Sequence, residues 1–227
     1  MKKQALLAII FTLLAVVLTS GMVFAQDIVE VESEEEKRDI SEDFIDIVTY
    51  LYEDEGILST DEGTYFFADD YVGEWAQMYW YQWESLAETQ VSDFVIRTKV
   101  SWNSASDTPQ WSDSGCGFVF REQDSDNHMK ANLALDGFTY INGYKAGQWL
   151  SYGKKQYSSH STSGSVYFTL AAEGGNIAIM IDDAIVHEAS NVLLTDPGYL
   201  AYVVVSGTNK DYGTRCTFEE VELFVID

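Results

Sequence analysis

Proline is nearly absent: two residues in 227, Pro109 and Pro197. That scarcity excludes polyproline-rich and collagen-like architectures and leaves strand ladders free of missing donors. Histidine is almost as rare. His128, His160 and His187 are scattered, and none has a companion at metal-ligand spacing. No Gly-x-Ser-x-Gly elbow and no His-Glu-x-x-His pair occurs, so neither the usual serine-hydrolase nor the zinc-protease arrangement is encoded. Positive charge is also short, with 13 Lys and Arg against 37 Asp and Glu and a net charge of −24. Such a chain repels nucleic acid and anionic membrane surfaces at long range, so neither is an expected partner.

After residue 25 no apolar run is long enough to cross a bilayer. The first 25 residues differ. Lys2 and Lys3 precede the uncharged stretch Ala5–Val23, and Val23-Phe24-Ala25 places small residues at −3 and −1 before Gln26. This is the layout of a cleaved secretory signal, with an uncleaved anchor as the alternative. No cysteine stands at the cleavage position to take a lipid. The expected destination is secreted or extracytoplasmic, and no membrane attachment is expected after cleavage.

Only two cysteines are present, Cys116 and Cys216. An even count in an exported chain reads as one disulfide. Closing the loop between them, 216 − 116 = 100 residues, is worth about 4–5 kcal/mol in the chain-entropy account.

What is abundant points to strands. Gln26–Asp43 holds nine acidic residues and two basic ones and reads as a solvated, disordered linker. From Phe44 to the end, short runs of Val, Ile, Phe, Tyr, Trp and Thr recur between turn pairs such as Asp136-Gly137 and Gly174-Gly175. Strands are predicted at 64–68, 75–83, 94–102, 116–122, 128–135, 138–144, 165–172, 176–181, 184–188, 199–205 and 215–226. No amphipathic helix of ten or more residues is read after the leader. The prediction is an all-β domain over 44–227, an antiparallel sandwich or barrel.

Alternation assigns faces. Phe94, Ile96, Thr98, Val100 and Trp102 share one side, opposite Arg97, Lys99 and Ser101. Phe118 and Phe120 oppose Val119 and Arg121. Met129, Ala131, Leu133 and Leu135 oppose His128, Lys130, Asn132 and Ala134. The apolar sides are predicted to face the core.

Within FREQDSDNHMK (120–130), Glu122, Asp124 and Asp126 stand two apart, as catalytic carboxylates do on a strand. Continued as a strand, they would lie on the side of Phe118 and Phe120, where unpaired carboxylates are costly. Gln123–Asn127 instead has turn chemistry, so the trio is expected at a hairpin tip. Asp124, Asp126 and Asn127 would supply oxygen ligands if the turn held Ca2+ as a cofactor. Glu122 is the one weak catalytic candidate.

Two stretches carry a family likeness: SGCGFVFREQDSDNHMKANLALDG (114–137), and the succession GGNIAIMIDDAIVHEA (174–189), DPGYLAYVVVSGT (196–208) and DYGTRCTFEEVELFVID (211–227). Their order of glycines, turns and strands resembles concanavalin A-like (laminin-G-type) sandwiches, and is especially similar to bacterial 3-keto-disaccharide hydrolase domains. The resemblance implies a jelly roll of two curved antiparallel sheets that holds carbohydrate on a sheet face or rim loops. Glycosidases of that superfold carry a Glu-x-Asp-x-Glu-like motif within a strand. Here the nearest match ends in Asp126 and sits on a turn, which points to binding without cleavage.

The expected ligand groove draws on Arg121, His128, Lys130 and Asn132, with Arg97 on a polar strand face, donating to sugar hydroxyls or a uronate. Trp111, Tyr144, Trp149 and Tyr152, read as loop aromatics, are the candidate stacking platforms. The sequence reading is therefore a non-catalytic carbohydrate-binding sandwich. A glycoside hydrolase or lyase and a structural or adhesive envelope protein are the alternatives.

Overall fold

A computed structural model describes residues 39–86 and 88–226. The leader, and the acidic segment up to residue 38, lie outside the described residues. In chain order the elements are α1 (Glu42–Glu53), β1 (Gly63–Phe67), β2 (Tyr71–Trp75), β3 (Trp80–Ser85), β4 (Phe94–Ser104) and a 3-10 turn (Trp111–Asp113). Then come β5 (Gly115–Asp124), β6 (Asn127–Ala134), β7 (Phe138–Lys145), β8 (Gln148–Gln156) and β9 (Ser163–Glu173). The last four are β10 (Asn176–Ile181), β11 (Ala184–Ala189), β12 (Tyr199–Ser206) and β13 (Thr214–Ile226).

The strands form two antiparallel sheets stacked as a jelly-roll sandwich. Sheet A runs β1-β13-β4-β9-β10-β11, with β2 also paired to β13; sheet B runs β3-β12-β5-β6-β7-β8. Between them lies one apolar core containing Phe94, Ile96, Val100 and Trp102 from sheet A and Phe118, Phe120, Met129, Ala131 and Leu133 from sheet B. These are the side chains that strand alternation directed inward. The disulfide Cys116–Cys216 crosses this core, joining β5 to β13 across a Cα–Cα distance of 5.7 Å.

Two features depart from the sequence reading. The first is α1, where no helix was expected. The Ser41 hydroxyl caps it by accepting from the Phe44 amide, and Glu42 and Asp43 sit at the positive end of the helix dipole. Phe44, Ile47, Val48 and Leu51, at helical i, i+3, i+4, i+7 spacing, are buried on the outer face of sheet A against Val95, Ala178, Met180 and Phe224. Each such side chain contributes about 1.5–3 kcal/mol. Ser41–Asp43 therefore belong to the folded unit, not to a disordered linker. The carboxylate of Glu222 on β13 holds the start of α1, accepting from the Ser41 amide at 2.6 Å and its hydroxyl at 2.8 Å.

The second concerns strand bounds. Of the predicted strand at 75–83 only the second half is strand, within β3; Ala76–Tyr79 is the link from β2, where Tyr79 has φ 67°, and β2 itself lies almost wholly before the predicted bounds. β8 was not predicted at all. It forms the free edge of sheet B beside β7, although Lys154 and Lys155 break its apolar alternation.

Candidate functional site

The outward face of sheet B is built from rows of side chains in register across the strands. One row is Ser85, Ala201, Val119, Lys130, Asn142 and Ser151. The next is Trp83, Val203, Gly117, Asn132, Tyr140 and Lys154. On one side of this pair lies the row His128, Tyr144 and Trp149; on the other lies the row Tyr81, Val205 and Gly115. The physical cause is the two-residue period: with Met129, Ala131, Leu133 and Ile141 committed to the core, the residues between them must face out.

This face is aromatic at both ends and polar in the middle. Tyr81 and Trp83 lie over the small apolar patch of Val119, Ala201 and Val203. From there, ring contacts run Trp83–His128 (5.3 Å), His128–Tyr144 (5.5 Å) and Tyr144–Trp149 (5.1 Å). Trp149, at the far end, is 53% exposed. Gly117 lies directly beside Asn132, where a Cβ would come within 2.6 Å of the Asn132 Cα. Its missing side chain lets the backbones of β5 and β6 approach closely there.

The polar middle has unmet hydrogen-bonding capacity. Among the described residues, six buried side-chain N or O atoms have no hydrogen-bond partner, and three of them share this face: His128 Nδ1, Asn132 Oδ1 and Asn142 Oδ1. Leaving a buried polar atom unpaired costs about 1–3 kcal/mol, so three in one patch call for an explanation. The Asn132 amide donates to its neighbour's carbonyl, Leu133 O, at 3.3 Å, but its own oxygen is free to accept. His128 Nε2 and the Tyr81 hydroxyl are 2.8 Å apart. Burial lowers the His128 pKa, while the nearby Asp124 and Ser125 carbonyls act the other way. Its imidazole is thus kept neutral.

Lys130, 7% exposed, stands in the centre with its ammonium 4.4 Å from the centroid of the Tyr81 ring. Burial lowers its pKa to about 8, against a smaller opposing pull from Asp113 on the 3-10 turn.

The structure thus brings His128, Lys130, Asn132, Tyr144 and Trp149 together, with Tyr144 and Trp149 on strands β7 and β8 and not on loops. It separates the rest. Arg97 is on the opposite sheet, stacked 4.2 Å from the Tyr167 ring and 3.3 Å from Asp183, outside the core beside α1. Lys99, on the same side of β4, goes with it.

Arg121 leaves the groove because β5 bulges at it, with φ 51° and a register shift after Phe120. Its wholly buried guanidinium donates to Ser92 O and Leu194 O, each at 2.9 Å, and pairs with Asp93 at 3.5 Å. Gly198 leaves room for this bulge, since a Cβ there would meet the Arg121 backbone at 2.3 Å. Trp111 packs edge-on to His160 at 5.0 Å, against the core margin. The Tyr152 hydroxyl accepts from the Leu193 amide. His187 on β11 is buried, with Nδ1 3.1 Å from the Thr139 hydroxyl.

Of the acidic trio, Asp124 and Asp126 lie at the hairpin tip, with Asp124 opposite Asn127 in the register of β5 and β6, whereas Glu122 is within β5. The Asp124 carboxylate accepts from the Asp126 amide at 2.8 Å and from the Asn127 side chain at 2.9 Å, which holds its pKa low. Its oxygens are committed to N–H donors of the same turn. No cluster of three or more His, Cys, Asp or Glu side chains fit for a metal occurs among the described residues. Glu122 stands opposite Tyr199, beyond the rows described above, and burial raises its pKa. None of those rows has Asp or Glu at a paired position.

The aromatics Tyr81 and Trp83 and the acceptor Asn142 were not singled out from the sequence as site residues. The signal for Asn142 was available: it is an outward position of β7, opposite Lys130.

No protein-family model and no curated protein matches the chain. Among solved structures, it is similar to the carbohydrate binding module CBM66 from Bacillus subtilis, at 14% identity over 71% of this chain and 91% of that one, TM-score 0.49. It is similar to the Bacillus licheniformis beta-glucanase at 8% identity over 62% and 69%, TM-score 0.44. A homodimeric agglutinin from chicken liver, CG-16, matches at 10% over 68% and 99%, TM-score 0.43. These TM-scores fall below 0.5, so the fold assignment rests on the two-sheet topology described above.

Proposed function

We propose that the protein binds carbohydrate on the outward face of sheet B and does not cleave it. The observation that carries this reading is the coincidence, on one face, of unpaired buried acceptors with an aromatic frame. Asn132 Oδ1 and Asn142 Oδ1 need hydroxyl donors, and Lys130 offers a donor between them. Trp149 offers an open ring for the apolar face of a pyranose. A sugar is the ligand that supplies hydroxyls and a flat C–H face together.

The arrangement of carboxylates supports binding without cleavage. Glycoside hydrolysis ordinarily uses a pair of them across the bond, about 5–9.5 Å apart. The rows forming this face contain no carboxylate, and Glu122 stands beyond them. The disulfide, and the secretory leader expected from the sequence, support an extracytoplasmic location.

The test is binding to a glycan array, followed by calorimetry on the best ligand with Trp149→Ala and Asn142→Ala. Each variant is expected to weaken binding at least tenfold, with no reducing sugar released on long incubation. Unchanged affinity in both folded variants would place the site elsewhere, and product release would establish an enzyme.

A further inference from the structure

Charge is distributed unevenly over this molecule. The chain holds 37 acidic residues, yet the rows of the candidate site contain no Asp or Glu at paired positions. Their charged side chains are Lys130 and Lys154. Lys154 stands opposite Tyr140, its ammonium 4.4 Å from the Phe138 ring centroid and 5.7 Å from that of Tyr140.

Lys130 is the informative one. It is nine-tenths buried between Val119 and Asn142, and a buried ammonium is costly unless something of opposite charge meets it. Its attachments inside the protein are modest. The Tyr81 ring lies under it, and Asp113 acts on it from the 3-10 turn. A neutral sugar would be served as well by Gln or Asn at this position, without the cost of a charge.

Asn132 and Asn142 flank Lys130 in its own and the adjoining row, and both present unpaired oxygens. The site therefore offers one cationic donor beside two acceptors. A hexuronate matches that set, with one carboxylate and adjacent ring hydroxyls.

On the glycan-binding reading above, we propose that the ligand is an acidic glycan: the carboxylate of a hexuronate pairs with the Lys130 ammonium while its ring hydroxyls donate to Asn132 and Asn142, and a neighbouring sugar stacks on Trp149. The overall negative charge does not forbid this. The Debye length is about 8 Å at physiological salt, so remote carboxylates act weakly; the near ones are Asp113, which acts on Lys130, and Asp136, which accepts from the Tyr140 hydroxyl at 2.6 Å.

The test is calorimetry at pH 7 with oligogalacturonate, oligoalginate and hyaluronan oligosaccharides, each compared with its carboxyl-reduced counterpart. At least one acidic oligosaccharide should bind, with the reduced form at least tenfold weaker. Lys130→Met should lose the same factor for the acidic ligand and weaken the reduced one by a clearly smaller factor, whereas Lys130→Arg should retain most of the affinity. Equal binding of acidic and reduced forms, equal weakening of both by Lys130→Met, or array binding to neutral glycans alone overturns the acidic class while the glycan reading stands. No binding to any of these sugars or to the glycan array overturns both. Circular dichroism verifies that the variants fold. If Lys130→Met does not, the carboxyl-reduction comparison on the unaltered protein decides.

Discussion

Lys130 is costly where it stands, and that cost is measurable. Its ammonium titrates at about 8, against an ordinary value of 10.5. At about 1.4 kcal/mol per pH unit the difference amounts to roughly 3 kcal/mol. The unfolded chain binds more protons than the folded one between those two values, so this residue makes stability rise with pH across about 8 to 10.5. Lys130→Met should accordingly raise stability at pH 7 by about 1–3 kcal/mol in urea denaturation and abolish that rise; a destabilised variant would refute the strain. The same titration bears on binding. The groups around Lys130 are the Tyr81 ring, the neutral His128 imidazole and Asp113. Affinity for an acidic oligosaccharide should fall as pH climbs through about 8, and a flat profile from pH 6 to 9 would contradict the role given to the ammonium. Arg121 behaves in the opposite way. It satisfies two main-chain carbonyls and Asp93, so Arg121→Ala should cost about 3–5 kcal/mol with no specific loss of glycan affinity in the protein that remains folded. Denaturation and calorimetry on the same preparation separate the two effects.

Helix α1 is fixed to the outer face of sheet A chiefly by its apolar stripe, and its cap adds to that hold. The Ser41 hydroxyl accepts from Phe44 and donates to Glu222, so Ser41→Ala should destabilise the domain by about 1–2 kcal/mol, read from the urea midpoint. Glycan binding on the other sheet should not change. This helix was legible in principle. Phe44, Ile47, Val48 and Leu51 have the helical period, and Ser41-Glu42-Asp43 is a start signal, but the surrounding negative charge masks both as a solvated spacer. The strands of the core were far easier to read, because Phe94 to Trp102 and Met129 to Leu135 alternate with only Val95, Thr98 and Ala134 out of step. β8 escaped because its outward residues, Trp149, Ser151, Lys154 and Gln156, share no common character and a bulge interrupts their pairing. Arg121 was misplaced for a related reason. Alternation puts it beside Lys130, but one residue at φ 51° breaks the period, and no sequence pattern announces a bulge of that kind.

The molecule as a whole is two sheets held by one core and one covalent tie, with the candidate site on the sheet that α1 does not cover. Cys116 and Cys216 join sheet to sheet, so replacing both with serine should cost on the order of 4–5 kcal/mol, seen as a lower urea midpoint with the same end states. Which residues face outward on sheet B was legible from the sequence. Which strands are neighbours was not, because pairing order depends on how distant segments meet, and Arg97 could be assigned to the other sheet only from the topology. The most direct measurement is a nuclear magnetic resonance titration that follows the side-chain amides while an oligosaccharide is added. The amide resonances of Asn132 and Asn142 should move first and saturate together with the Trp149 indole. Shifts confined to α1 and the Arg97 side of sheet A, or none at Asn132 and Asn142 under saturating sugar, would contradict the assignment of the site.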